Sequence, residues 1–290
     1  MADGLEGPVY EALLAAAHNA GFDLAAAVLG SETELRATDV AQPALLLVEL
    51  ALSSALPDGL EVVGVAGHSV GEYAAAAVAG AIASEDAMRL VVERGRAMAS
   101  AREGVMSALI GIDADAVGEI CAEVTAEGHG DVVIANYNGP AQLVISGAAA
   151  AVASAEDVAR TRGARRVVRL NVGGAFHSPL MRDAAARFTP LLDATLMRDP
   201  TVPVVCNVDA TAVSTAAPLR ARLRDQLTSA VRWTDSVARL IELGAETLIE
   251  VGPQSVLTGL AKRIAPSANA LSVSTVAQAR AVGSTVGVAG

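Results

Sequence analysis

The chain has 290 residues, enough to bury a substantial core in one large domain, or in a large domain carrying a smaller insert. Hydrophobic residues make up 52% and aromatics 2%, so the core is expected to be built from Ala, Val, Leu and Ile. The formal charge of −11 argues against nucleic acid as a partner, which would require a basic face, and no apolar stretch reaches the roughly 18 uncharged residues of a membrane helix.

The N-terminus has no basic region followed by an apolar one, so a cytoplasmic protein with no membrane anchor is expected. Cys121 and Cys206 lie far apart with no metal-ligand spacing and read as buried, unreactive thiols. Lys262 is the only lysine; the weight of arginine is a compositional bias and not a sign of phosphate sites.

In chain order, Tyr10, Leu13, Leu14 and Ala17 recur at helical spacing over residues 7–20. A second packing helix is expected from Gln42-Pro43 to about Leu56, with Pro43 in its first turn. The apolar run 61–66 then leads into Gly67-His68-Ser69-Val70-Gly71 and an alanine-rich helix over 72–83. Strand, tight turn and helix around G-x-S-x-G make a nucleophile elbow, which pushes a serine hydroxyl out at a helix N-terminus where the helix dipole favours an oxyanion. Ser84 is expected to cap a further helix running to about Ala101.

From about Gly104 to Val172 the rhythm becomes strand 105–112, helix 114–126, strand 131–137, strand 141–146, helix 148–162 and strand 165–172. This βαββαβ order is the ferredoxin-like pattern and can bury its own core. Residues 104–172 are therefore read as an insert whose mouth opens near the elbow, leaving a cleft suited to a small molecule. Residues 1–103 and 173–276 form the large α/β domain, with strands at 202–208 and 247–251 and helices at 179–196, 218–229, 233–243 and 255–264. The small, polar stretch 277–290 is read as a disordered tail.

A serine nucleophile requires a base, and four histidines are available. His18 lies on an amphipathic helix and His129 in a glycine-flanked loop, so both are placed at the surface. His68 abuts Ser69, but neighbouring residues on a strand point to opposite faces. His177 remains, in the Gly173-Gly174 loop at the junction of the two bodies.

The segments GHSVGEYAAA (67–76), ERGRAM (93–98), GGAFHSPLM (173–181), NVDA (207–210), DQL with VRW (225–233) and EVGPQSVLTGLAKRI (250–264) together resemble the malonyl-CoA:acyl-carrier-protein transacylases and the related acyltransferase domains of polyketide synthases. The resemblance implies an α/β-hydrolase-like large domain with an inserted ferredoxin-like small domain. It implies Ser69 as the acylated nucleophile, His177 as general base and Gln226 as the residue whose main-chain carbonyl orients the histidine. Arg94 matches the arginine that pairs with the malonyl carboxylate, a job suited to a bidentate guanidinium. Val70 and Phe176, beside the serine and the histidine, resemble malonyl-selective members.

The implied reaction is ping-pong transfer of a malonyl group, in fatty acid or polyketide synthesis, from malonyl-CoA to the phosphopantetheine thiol of acyl carrier protein. Malonyl-CoA enters as substrate, with no permanently bound cofactor, and a monomer is expected. Arg160, Arg162, Arg165, Arg166 and Arg169 are candidates for meeting an acidic carrier, with a solvated helix end and strand edge as the other reading. The family also begins with a strand and a GQGSQ loop about a dozen residues upstream of the point where this chain starts, supplying one of two oxyanion N–H donors; Val70 N–H matches the other. The expectation drawn from this is a start assigned to an internal methionine of a longer protein. Two other readings stay open: a serine hydrolase of esters or acyl-thioesters, and an inactive carrier-binding module.

Overall fold

Helix 24–28, strands 212–213 and 269–273 and helix 276–286 have no counterpart in the sequence reading; the other elements form where expected, with differences at their ends. The structure, a computed structural model, describes residues 5–31 and 33–286. Helices α1 (Pro8–Asn19), α2 (Leu24–Val28) and α3 (Thr38–Ser53) open the chain. Pro43 lies inside α3, whose first turn begins five residues earlier at Thr38. Of the run 61–66 only β1 (Val65–Ala66) is strand, because only these two residues pair with a neighbour. The turn after it delivers α4 (Gly71–Val78), and α5 (Ser84–Ser100) follows. Ser84 is the first helical residue of α5; the cap is Ala83, which offers no side-chain acceptor.

The next six elements are β2 (Val105–Ile110), α6 (Ala114–Ala126), β3 (Val132–Gly139), β4 (Gln142–Gly147), α7 (Ala149–Thr161) and β5 (Arg166–Arg169). Their strands make one antiparallel sheet in the order β3-β4-β2-β5. Leu109, Leu143 and Ile145 bury on one face against Val117, Ile120 and Val152 of the two helices. Met106, Ala135 and Val144 point to the other face and pack with Leu170 and Phe176. This alternation gives the sheet a private core on one side and a joint with the rest of the chain on the other.

The remainder comprises α8 (Arg182–Ala194), β6 (Val204–Val205), β7 (Ala212–Val213), α9 (Ala216–Asp225), α10 (Trp233–Glu242), β8 (Thr247–Val251), α11 (Val256–Ile264), β9 (Asn269–Val273) and α12 (Val276–Val286). β1 pairs parallel with β6, β6 antiparallel with β7, and β8 parallel with β9. The expected tail at 277–290 is thus corrected over most of its length. α12 buries Ala279 and Val282, three residues apart on one face, against Val273, Leu56 and Ile249. Residues 287–290 lie outside the described residues.

The largest core runs through α1, α3, α4, α5, α8 and α9 and includes Leu13, Leu46, Tyr73, Leu90, Phe188 and Leu223. Among the described residues, backbone bonds tie the small sheet to the rest of the chain at Val231: Tyr137 N–H donates to the Val231 carbonyl (2.9 Å) and Val231 N–H to the Ala135 carbonyl (2.8 Å). Gly104, at φ 82°, leads into the small sheet where a Cβ would stand 2.4 Å from the Gly147 carbonyl oxygen. Among the described residues no helix is long and apolar enough to cross a membrane.

The two glycines of the elbow are not equivalent. A Cβ on Gly67 would lie 2.0 Å from the Gly71 backbone, whereas one on Gly71 would meet nothing closer than Glu49 at 3.8 Å. Gly67→Ala is therefore expected to destabilise the fold by about 3 kcal/mol or more, and Gly71→Ala by less than about 1 kcal/mol. Urea unfolding of the two variants beside the parent chain checks this; equal losses would refute it.

Candidate active site

Ser69 is held at φ 52° and His177 at φ 56°, both in the left-handed region that non-glycine residues seldom occupy. Such strain survives only where surrounding structure imposes it. At Ser69 the restraint comes from Asn207, which is fully buried. Its Oδ1 accepts from Ser69 N–H (2.7 Å), and its Nδ2 donates to the Gly67 carbonyl (2.7 Å). These two bonds grip the turn from both sides.

The turn brings Ser69 Oγ to 2.8 Å from His177 Nε2. On the far side of the ring, Nδ1 lies 3.0 Å from the Gln226 carbonyl and 3.2 Å from that of Ser229. Carbonyls only accept, so Nδ1 carries the proton and Nε2 is the lone pair facing the serine. Burial, then the nearby Arg94 charge, push His177 down to about 3, against the two carbonyl bonds that raise it. The imidazole is neutral at physiological pH, with its Nε2 lone pair turned to Ser69 Oγ. Acylation is accordingly expected not to fall tenfold between pH 7.5 and 5.5, as it would for a base near the ordinary histidine value of 6.5. A stopped-flow pH profile of the acylation step tests this, and a limb near 6.5 would contradict it.

Arg94, on α5, is 1% exposed. Its Nη2 donates to Ser69 Oγ (3.0 Å) and Gln226 Oε1 (2.9 Å), its Nη1 to Gln42 Oε1 (2.5 Å), and its guanidinium stands 5.5 Å from the centre of the Tyr73 ring. No carboxylate within ion-pair distance of it occurs among the described residues, and its Nε has no partner although it is buried. A buried guanidinium with no carboxylate partner and a bare N–H has hydrogen-bonding capacity left over.

Gln226 does more than orient the histidine. Its side chain accepts from Arg94 and donates from Nε2 to the Ser69 carbonyl (2.9 Å) and to Glu72 Oε2 (2.5 Å). Glu72 is fully buried, and burial pushes its carboxyl up to about 7 against the Gln226 bond, which lowers it. Val70 N–H, just before α4, has no protein acceptor among the described residues. Phe176 lies at the joint between the small sheet and the main body.

The expected residues Ser69, His177, Gln226 and Arg94 are thus brought into one hydrogen-bonded group, with Val70 and Phe176 beside it. His68 is turned away: its Nε2 meets Asn138 Oδ1 at 2.8 Å and its ring packs on Trp233 at 5.5 Å. Sequence reasoning missed what Asn207, Gln42 and Glu72 do. Asn207 and Glu72 stand within the motifs singled out above; Gln42 carries no signal beyond preceding a proline. Of the five arginines considered for a carrier, Arg160, Arg162 and Arg169 are engaged by Asp157, Glu123 and Glu156, leaving Arg165 and Arg166 exposed.

An α/β protein with an elbow serine bonded to a neutral histidine and a guanidinium beside them has the kinds of group that acyl transfer requires. The acyl transferase domain family matches residues 10–285, and the chain belongs to it. It is 42% identical over 239 residues to the malonyl CoA-acyl carrier protein transacylase of Bacillus subtilis, covering 81% of this chain and 75% of that protein. The transacylase of the same name from Escherichia coli O157:H7 is 41% identical over 264 residues, covering 89% and 85%. Among solved structures, the malonyl CoA-acyl carrier protein transacylase of Coxiella burnetii superposes with a TM-score of 0.90 at 35% identity, covering 96% of this chain and 90% of that one. A malonyl-transacylase solved in complex with its type II polyketide-synthase acyl-carrier protein gives 0.90 at 38% identity, covering 96% and 92%.

Proposed function

We propose that this chain transfers a malonyl group from malonyl-CoA to the phosphopantetheine thiol of acyl carrier protein through a malonyl-serine at Ser69. The observation that carries the proposal is the unpaired Arg94 guanidinium bonded to the same Oγ that His177 addresses. His177 Nε2 takes the Ser69 proton as Oγ bonds to the thioester carbon. The oxyanion forms beside Val70 N–H and the N-terminus of α4. The C–S bond then breaks, and coenzyme A leaves as a thiol with the proton from His177. In the second half the carrier thiol gives its proton to His177 and attacks the ester, and Ser69 recovers the proton.

Arg94 holds the malonyl carboxylate, using Nε and the Nη atoms that face the serine. That carboxylate offsets the charge that depresses His177, so the base strengthens when the right acyl group is present. Val70 and Phe176 bound the space for the acyl chain. The Gln226 carbonyl keeps the imidazole in its acceptor tautomer.

In this reading residues 104–172 are a ferredoxin-like insert, supported by the strand order β3-β4-β2-β5, in an α/β-hydrolase-like domain made of 1–103 and 173–276. The protein works as a cytoplasmic monomer with no resident cofactor. The test is the intact mass of the chain after brief exposure to malonyl-CoA, then after addition of phosphopantetheinylated carrier. A malonyl increment that the carrier removes supports the proposal; no increment, or one lost to water as fast as to carrier, overturns it.

A further inference from the structure

Glu72 is a buried carboxylate that the reaction above does not use. It is linked to the acyl clamp through a single amide: Gln226 donates to Glu72 Oε2 with one end and accepts from Arg94 with the other. The other carboxylate oxygen, Oε1, is buried with no partner. Of the other titratable groups around it, all but Glu49 keep one charge state near neutrality. Burial raises Tyr73, on the same helix, and Cys206, after β6, far above neutrality, so both stay protonated. Arg222, on α9, is held by Asp209 through Nε to both oxygens (3.1 and 3.0 Å). On α3, Glu49 is also pushed up to about 7, but its charged neighbour is Glu250 and it is not bonded to Gln226. His177 stays neutral through the same range.

Before substrate arrives the site therefore holds one guanidinium and, at a distance of one amide, one carboxylate. A malonyl carboxylate on Arg94 adds a second negative charge among buried side chains with a single positive one, where repulsion is weakly screened. Glu72 has a place for a proton at Oε1, which no hydrogen bond occupies, while Oε2 keeps the Gln226 bond; the Cys206 thiol and the Asn207 N–H beside the carboxylate favour its charged form and so oppose uptake until a second negative charge arrives.

We infer that Glu72 is a proton-linked counter-charge for the acyl clamp: arrival of the malonyl carboxylate at Arg94 is accompanied by uptake of one proton from solvent at Glu72 Oε1, and its departure on the carrier releases that proton. The inference rests on the reading of Arg94 as the clamp. Malonyl selectivity is then a function of pH, strengthening as Glu72 becomes neutral.

The experiment is the ratio of kcat/KM for malonyl-CoA to that for acetyl-CoA, which has no carboxylate, from pH 6.0 to 8.5. The parent chain should lose about tenfold in this ratio as pH rises. Glu72→Gln should give a flat ratio, at or above the parent's value at pH 6.0, and Glu49→Gln should keep the parent's slope. A flat ratio in the parent overturns the inference, as does a Glu72→Gln ratio that still slopes or is lowered at every pH, which is what a merely structural residue would give. Should Glu72→Gln fail to fold, titration of Ser69→Ala with malonyl-CoA at pH 7.5, by calorimetry in two buffers of different ionisation enthalpy, reads the proton directly. Uptake of at least half a proton supports the inference and zero uptake refutes it. Arg94→Ala separates the two ideas: if it leaves the ratio unchanged the clamp itself is wrong, whereas a collapsed ratio beside a flat parent profile removes only the proton link.

Discussion

Ser69→Ala is expected to take up no malonyl group and to lose at least about 10⁴-fold in transfer to carrier, while unfolding within about 1 kcal/mol of the parent chain. The loss is total for the covalent route because no other hydroxyl or thiol among the described residues reaches His177 Nε2; both cysteines are buried, and burial raises their thiols. Stability changes little for a separate reason. The elbow is gripped through Ser69 N–H and the Gly67 carbonyl, backbone groups that alanine retains, and alanine at φ 52° is strained about as serine is. Intact mass after malonyl-CoA, a steady-state transfer assay and urea unfolding measure the three quantities. A variant that still accumulates the adduct would move the nucleophile elsewhere.

Arg94→Ala is the second large effect, and its character matters more than its size. Truncating one partner of a desolvated charge pair costs about 2–5 kcal/mol, so kcat/KM for malonyl-CoA should fall by about 30- to 5,000-fold. Acetyl-CoA, which never used the guanidinium as a partner, should lose less than about tenfold. Arg94→Lys should rescue poorly, since an ammonium cannot offer the planar fork that Gln42, Gln226 and a carboxylate share. Equal losses for both thioesters would show that Arg94 serves only to hold Ser69 Oγ and Gln226, and would favour general ester or thioester hydrolysis over carboxylate-selective transfer.

Much of the fold and of the site is legible in the sequence, for definite physical reasons. The elbow announces itself because a strand must turn sharply into a helix with a glycine where no Cβ fits, and Gly67 meets that need. Helix 114–126 falls where expected, since Val117, Ile120, Cys121 and Val124 recur at helical spacing, and strand 247–251 also lies where expected. Sequence pattern fails where side chains are small or the partner is remote. Ala279 and Val282 pack α12 with so little apolar bulk that the segment resembles a tail. The run 61–66 has the composition of a full strand, yet strand extent depends on pairing, and only two residues find a partner. Asn207 sits 138 residues from the serine whose N–H it accepts, a separation over which local pattern carries no information.

The stretch from Gln226 to Val231 touches the chemistry at one end and the small sheet at the other. The carbonyls of Gln226 and Ser229 receive the His177 proton-bearing nitrogen, and two residues later Val231 exchanges backbone bonds with Ala135 and Tyr137. Mechanically this is a short rod joining a lever to a latch. A displacement of the small sheet relative to Val231 would therefore be felt, within two residues, at a carbonyl that faces the His177 ring.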